Sequence, residues 1–157
     1  MKKLILAILM IGTIVAQSSA NGALDKKNAI GGKLGYGIGP SYKRYFGQKG
    51  ALEVDANFFL FNSAATYVRA SAFYLFVFPI KKVEGLSWFV GPGGHLTLAT
   101  FKGGNIGGGA DGLIGIEYKF KDIPLSLSAD WGPSVEFLGG GVGFWGGQGG
   151  LGIRYAF

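Results

Sequence analysis

The chain has 157 residues with 30 glycines, 15% aromatic residues, no cysteine, a single histidine and a formal net charge of +6. The lack of cysteine excludes a disulfide scaffold and a lipid-modified N-terminal cysteine, and one histidine gives no pattern for a metal site. The lysines lie in scattered pairs, so the positive charge does not indicate nucleic-acid binding.

Residues 1–20 have the pattern of a secretory signal peptide. Two lysines precede an apolar run from Leu4 to Ala16, and small residues follow it. The run is shorter than the roughly 20 residues that a helix needs to cross a bilayer. We therefore expect cleavage, which removes both lysines and lowers the net charge from +6 to +4. We expect residues 21–28 to form a short mobile leader. Residues 29–157 then form a single domain.

Alternation of apolar with polar or small residues predicts strands along the rest of the chain. In chain order the predicted strands cover residues 30–46, 51–61, 65–78, 86–100, 108–120, 125–137 and 145–157. The clearest alternation sets Leu52 and Val54 against Glu53 and Asp55. No later apolar run is long enough for a spanning helix, so any membrane crossing has to be made by strands.

The aromatic residues fall at the same end of successive predicted strands. If the strands form an antiparallel meander, these residues make an aromatic girdle at one rim of a barrel, which a soluble sandwich does not explain. The predicted girdle residues are Tyr42, Tyr45, Phe46, Phe76, Phe78, Trp88, Tyr118, Phe120, Tyr155 and Phe157.

The number of strands needs an explanation, because bacterial barrels of this kind have an even number and eight is the smallest common size. Seven strands are visible in the pattern. Either residues 21–29 supply a short irregular strand, or a long segment hides a second strand, or the barrel closes differently. We predict eight strands.

The closing segment GGLGIRYAF and the hairpin IGIEYKFKDIPLSLSADW at residues 114–131 carry a family resemblance. With them, the mature chain resembles small outer-membrane β-barrel proteins of the OmpA-transmembrane and OmpX type, and is similar to small barrels of Bacteroidota-like bacteria. The resemblance implies an all-β, antiparallel up-and-down transmembrane barrel in a bacterial outer membrane. It carries no catalytic motif and implies no cofactor.

The resemblance also implies partners and an orientation. The barrel would be a monomer that contacts outer-membrane lipid or lipopolysaccharide, and the cell's barrel-assembly machinery would insert it through the strand that ends at Phe157. Closing strands of such barrels end at the periplasmic side. The girdle would then be periplasmic, and the loops around Ser63, Gly104 and Gly140 would face outside.

Charged residues recur on the face opposite the apolar one, and we expect them to form a network in the lumen. The predicted members are Lys33, Glu53, Asp55, Arg69, His95, Asp111, Glu117, Lys119, Asp130, Glu136 and Arg154. The nearest predicted counter-charges for Arg69 are Glu53 and Asp55. A barrel of eight strands is only just wide enough for its own side chains, so a filled lumen is favoured over a narrow pore.

His95 would have to serve in any histidine-dependent site. Barrels that resemble lipid A deacylases or outer-membrane phospholipases place a serine beside a histidine on the outer surface, whereas Thr97 follows His95 at that spacing. We therefore predict a structural or limited-permeability role without catalysis. The alternatives are a lipid-modifying enzyme that uses His95 and a soluble periplasmic barrel that binds an apolar ligand.

Overall fold

A computed structural model describes residues 22–47, 49–60, 66–99, 106–139 and 142–157. They form a closed antiparallel barrel of eight strands, in which each strand pairs with its neighbour in the sequence and the last pairs with the first. The predicted fold class is confirmed. The strands are β1 (Asn28–Gly35), β2 (Ile38–Phe46), β3 (Gly50–Leu60), β4 (Thr66–Pro79), β5 (Leu86–Ala99), β6 (Ile106–Lys119), β7 (Leu125–Leu138) and β8 (Gly143–Ala156).

Some predicted segments cannot be compared with the structure. The signal peptide at residues 1–20 and the loop positions Ser63, Gly104 and Gly140 lie outside the described residues. The described part of the chain has no helix that is long and apolar enough to cross a membrane.

The eighth strand lies inside the segment at residues 30–46 that the sequence pattern presents as one strand. The chain turns there at Tyr36 and Gly37. Gly37 has a φ of +148°, a backbone conformation that residues other than glycine rarely adopt. Leu34 is paired with Ile38 and three residues lie between them, so residues of the same parity continue on the same face. The alternation therefore passes through the turn without a break, which explains why the hairpin reads as a single strand.

The two faces of the barrel wall differ in polarity. Side chains that point into the lumen are mostly charged or hydroxyl-bearing, and Glu53, Lys43 and Arg154 are almost completely buried. Large apolar side chains cover the outside, for example Ile116 at 53% and Leu151 at 61% exposed. A water-soluble barrel has the opposite arrangement, since burial of apolar surface drives its folding.

The barrel has two unlike ends. We call the turn end the one that contains the chain termini and the connections at residues 47–49, 80–85 and 120–124. The loop end contains the turn at residues 36–37 and the connections at residues 61–65, 100–105 and 139–142. The strand register places the ten predicted girdle residues in the half of the wall near the turn end.

One predicted girdle residue differs from the prediction. The side chain of Tyr45 lies in the lumen, where it is 6% exposed and its hydroxyl donates a hydrogen bond to Glu117 Oε1 over 2.8 Å. The outer face of the turn end has aromatic pairs instead: Phe78 stacks on Trp88 with ring centres 4.3 Å apart, and Tyr118 meets Phe120 edge to face at 5.0 Å.

The leader packs against the turn end rather than standing clear of the barrel as a mobile segment. Ala23 is fully buried, and its amide donates to the Phe120 carbonyl over 2.9 Å. The Lys27 carbonyl accepts a hydrogen bond from the Tyr45 amide over 2.7 Å, and Asn28 is already part of β1. Residues 22–27 therefore lie across one side of the lumen's mouth.

A bulge between β7 and β8 changes which way the closing strand presents its side chains. Gly132 pairs with Gln148, but Ser134 pairs with Trp145, so β8 has one residue more than β7 in this interval. Because Ser134 faces the lumen, Trp145 lies on the inner face at the loop end, although simple alternation with Leu151 predicts the outer face. The Trp131 indole donates to the Gly146 carbonyl over 2.7 Å at the bulge.

Candidate functional site: the charged lumen

Glu53 lies at the centre of the largest group of ion pairs in the lumen. Its carboxylate is 3.0 Å from Lys33 Nζ, 3.2 Å from Lys43 Nζ and 2.8 Å from Arg154 Nη2. These cations come from β1, β2 and β8, and Glu53 is on β3, so one carboxylate joins four strands. All four side chains are nearly inaccessible to solvent, which makes the interaction strong and its interruption costly.

The same three cations reach the other carboxylates of this central cluster. Lys33 Nζ is 3.1 Å from Asp55 and 3.0 Å from Asp130, which brings β1, β3 and β7 together. Glu117 on β6 is 3.5 Å from Lys43 Nζ and 3.8 Å from Arg154 Nη1. We define the central cluster by its seven charged residues: Lys33, Lys43, Glu53, Asp55, Glu117, Asp130 and Arg154.

Hydroxyl groups complete the coordination of Arg154. Its Nε donates to Ser41 over 2.9 Å and its Nη1 donates to Ser128 over 2.8 Å. Gly152, next to it on the inner face of β8, leaves the room that the guanidinium needs, because a Cβ there would lie 2.9 Å from Arg154 Nη1. The guanidinium is thus fixed from several sides.

Lys43 and Tyr45 are the lumen residues that the sequence prediction missed. The sequence pattern does predict their orientation, since the alternation that places Lys33 and Ser41 inside extends to positions 43 and 45. Lys43 is completely buried, and its ammonium lies 4.0 Å from the centre of the Phe89 ring. This cation–π contact adds to its two carboxylate contacts.

A second, smaller cluster lies nearer the loop end and is formed by Arg69, His95, Asp111 and Ser134. Arg69 Nη2 is 2.8 Å from Asp111 Oδ1, 2.8 Å from His95 Nδ1 and 3.0 Å from Ser134 Oγ. The predicted partners of Arg69, Glu53 and Asp55, are wrong. Lys33 on β1 contacts both of these carboxylates from the other side of β2, and Arg69 pairs with Asp111 instead.

His95 is part of this second cluster and does not face the lipid. Its Nδ1 lies 2.9 Å from Asp111 Oδ1, and the side chain is buried. Its Nε2 has no hydrogen-bond partner among the described residues, so no described hydroxyl is placed for activation by the imidazole. The described residues also contain no group of three or more histidine, aspartate and glutamate side chains that could hold a metal ion.

Two predicted members of the network lie at its margins. Lys119 is half-buried at the turn end, with its ammonium 3.2 Å from the centre of the Tyr45 ring. Glu136 is half-buried at the loop end, close to the backbone of Gly107, and makes none of the described ion pairs. The remaining predicted residues belong to the two clusters above.

A small cavity separates the two clusters. It is lined by Lys33, Asp55 and Asp130 on one side and by Arg69 on the other, and its volume is about 40 Å³. A cavity needs about 10–15 Å³ on this scale to hold one water molecule. The cavity therefore has room for a few water molecules.

Comparisons with known proteins establish the fold. No family model and no curated protein matches the chain. The N-terminal β-barrel domain of Pseudomonas aeruginosa OprF is 16% identical, with a TM-score of 0.59 over 87% of this chain and 99% of that chain. Neisserial surface protein A (NspA) is 16% identical, with a TM-score of 0.51 over 83% of this chain and 93% of that chain. The fold is that of the small outer-membrane β-barrels, and the predicted resemblance is confirmed.

Proposed function

We propose that the chain is an integral outer-membrane β-barrel protein with a structural role and a lumen closed by its own ion pairs. The observation that carries this proposal is the inverted polarity of the barrel wall. Outward-facing apolar side chains on all eight strands suit lipid, and the fully buried Glu53, Lys43 and Arg154 suit a sealed interior. The similarity of the fold to OprF and NspA supports the same location.

The turn end is proposed to be periplasmic. The three connections there are short, and the closing strand ends beside them, as expected for barrels that insert through a C-terminal strand. The leader at residues 22–27 follows the predicted cleavage site, so export would leave it on the same side. The protein would contact lipid as a monomer and would enter the membrane through the barrel-assembly machinery.

The proposed location is tested by electrophoresis of the membrane fraction in SDS with and without boiling, together with a urea wash. A closed barrel resists SDS until it is heated, so we expect a mobility shift on boiling and retention of the protein in washed membranes. Release into the soluble fraction with no shift would overturn the proposal. It would favour a soluble barrel that carries an apolar ligand.

The lumen is proposed to be closed because its charges are used internally. Five carboxylates and four cations belong to the two clusters, and each carboxylate has a cation within 4 Å. We expect purified protein in planar lipid bilayers to give no stable conductance steps. Regular steps would contradict the closed lumen and would indicate limited permeability. We propose no enzymatic role, since His95 is engaged with Asp111 inside the wall.

A further inference from the structure

Basic side chains surround the turn end of the barrel. Each of the three connections there carries at least one lysine, and two more basic residues lie where the termini and β2 meet this end. All of them are exposed: Lys27, Arg44, Lys49, Lys81, Lys82 and Lys121. Because the connections are spaced around the wall, the basic groups form a ring rather than a patch. We call these six residues the basic ring.

The rest of the described molecule does not share this excess of positive charge. Addition of the half-buried Lys26 and Lys119 gives eight basic residues at the turn end, against three acidic residues, Asp25, Glu84 and Asp122. The lumen clusters hold four basic and five acidic residues. At the loop end, the described residues include the acidic Glu136 and no basic side chain. The net positive charge of the described residues is thus concentrated at one end.

The basic ring lies immediately beyond the outward aromatic side chains. The connection with Lys81 and Lys82 runs between Phe78 and Trp88, whose rings stack. The Arg44 guanidinium lies 6.0 Å from the centre of the Phe46 ring. Aromatic side chains at a membrane surface lie at headgroup level, and long basic side chains reach from that level into water. The side chains of the basic ring are therefore at the depth of the lipid phosphates.

Most of the ring has no internal counter-charge. Among the described residues the ion pair at this end joins Lys121 to Glu84 over 2.8 Å, and both side chains are largely exposed. No described ion pair involves Lys49, Lys81 or Lys82. Exposed cations without a partner attract an anionic surface, and the attraction at a membrane is felt within a Debye length.

We infer that the basic ring binds the phosphate groups of anionic phospholipids in the periplasmic leaflet, so that these lipids are enriched around the turn end. The inference rests on the proposed membrane location and orientation. It assigns to the turn end a preference for a lipid class.

Trp88 can report this preference because it adjoins Lys81 and Lys82. The chain with Trp131→Phe and Trp145→Phe, which leaves Trp88 as the fluorophore, is refolded into vesicles of equal parts phosphatidylcholine and phosphatidylglycerol. Bromine atoms, which quench tryptophan at short range, are placed on the acyl chains of one lipid and then of the other. We expect stronger quenching when phosphatidylglycerol carries the bromine, and a smaller difference at high salt.

The variant Lys81→Gln/Lys82→Gln tests whether the ring causes the preference. A basic residue near an anionic surface contributes about fivefold to binding, so the relative affinity for phosphatidylglycerol near Trp88 should fall several-fold. Lys102→Gln is the matched control, because the sequence places Lys102 between β5 and β6 at the other end. It should leave the quenching ratio unchanged.

Equal quenching by the two lipids, or a ratio that the double variant does not change, would overturn the inference. Equal quenching together with sedimentation of the protein on peptidoglycan would assign the ring to that acidic polymer instead. Heat-modifiable mobility in vesicles of phosphatidylcholine alone tests the barrel separately. A protein that passes this test and shows no lipid preference disproves the lipid inference and leaves the proposed function intact.

Discussion

The two ion clusters of the lumen fill the same barrel by different means. In the central cluster the fully buried Glu53 contacts three cations at once, each from a different strand. In the cluster near the loop end, Arg69 and Asp111 form one ion pair, and His95 lies beside both. The central cluster joins three cations to four carboxylates that share partners, whereas the second cluster is built on one arginine–aspartate pair with His95 and Ser134 beside it.

The largest loss in the free energy of unfolding is expected for Glu53→Gln. The substitution preserves size but removes the carboxylate that Lys33, Lys43 and Arg154 share, so buried cations lose their compensation. Interruption of a buried ion pair costs about 3–5 kcal/mol. Urea unfolding in phosphatidylcholine vesicles, followed by tryptophan fluorescence, measures the loss.

Two further variants make the Glu53 result interpretable. Ser126→Ala is the matched control, because the Ser126 hydroxyl is buried and has no hydrogen-bond partner among the described residues; its stability should be unchanged. If Glu53→Gln does not fold, Glu53→Asp retains the charge with a shorter side chain and should fold with reduced stability. Wild-type stability of Glu53→Gln would contradict the central role of Glu53.

A smaller loss is expected for Arg69→Gln. Asp111 loses its guanidinium partner, but His95 remains 2.9 Å from the carboxylate. The loss of a hydrogen bond to a charged group costs about 1.5–3 kcal/mol. The same urea titration measures this, and bilayer conductance should stay absent. Normal folding with new conductance would show that Arg69 blocks a pore, and the structural interpretation of the network would be wrong.

His95→Gln should lower the free energy of unfolding by less than Glu53→Gln or Arg69→Gln. Nδ1 of His95 contacts Asp111 and Arg69, but its Nε2 has no hydrogen-bond partner in the described part of the chain. The glutamine amide can replace part of these contacts. We expect a loss of about 1 kcal/mol, typical of a net hydrogen bond. The enzyme alternative makes a different prediction, namely loss of a lipid-modifying activity in His95→Gln with unchanged stability.

The separation of the clusters can itself be measured. Glu53 and Arg69 share no partner, and the cavity of about 40 Å³ lies between their clusters. In a double-mutant cycle of Glu53→Asp and Arg69→Gln, the two losses should add within about 0.5 kcal/mol. A larger coupling would mean that the lumen acts as one network.

Strand periodicity predicted most of the strands and most of the inner face, and the aromatic girdle and the resemblance of the closing strand were needed to predict a barrel. Residues such as Glu53 and Asp111 were placed inside because successive side chains of a strand alternate between faces. Tyr45 was assigned to the girdle because it is aromatic and near a strand end, although its parity with Lys33 favours the lumen. Position in the alternation was therefore the better guide than residue type.

Pairing across the lumen could not be read from the sequence. Glu53 and Asp55 are on the strand next to Arg69, but Lys33 on β1 reaches both across β2. This competition depends on the three-dimensional stagger of the strands. The orientation of Trp145 could not be predicted either. The extra residue of the bulge lies within a glycine-rich run, where the pattern of side chains does not mark the change of face.

The smallest effect is expected outside the membrane, at the pair of Lys121 and Glu84. The hydrogen bond from Lys121 Nζ to Glu84, and then the charge of that carboxylate, raise the pKa of Lys121 above its usual 10.5. A raised lysine pKa stabilises the folded state below the unfolded pKa, and this contribution is lost as the pH rises through the folded value. In Glu84→Gln, NMR titration should show the Lys121 pKa returning toward 10.5. The free energy of unfolding at neutral pH should not change measurably, because both side chains are largely exposed. A clear loss of stability would mean that charges at the turn end contribute to folding as those of the lumen do.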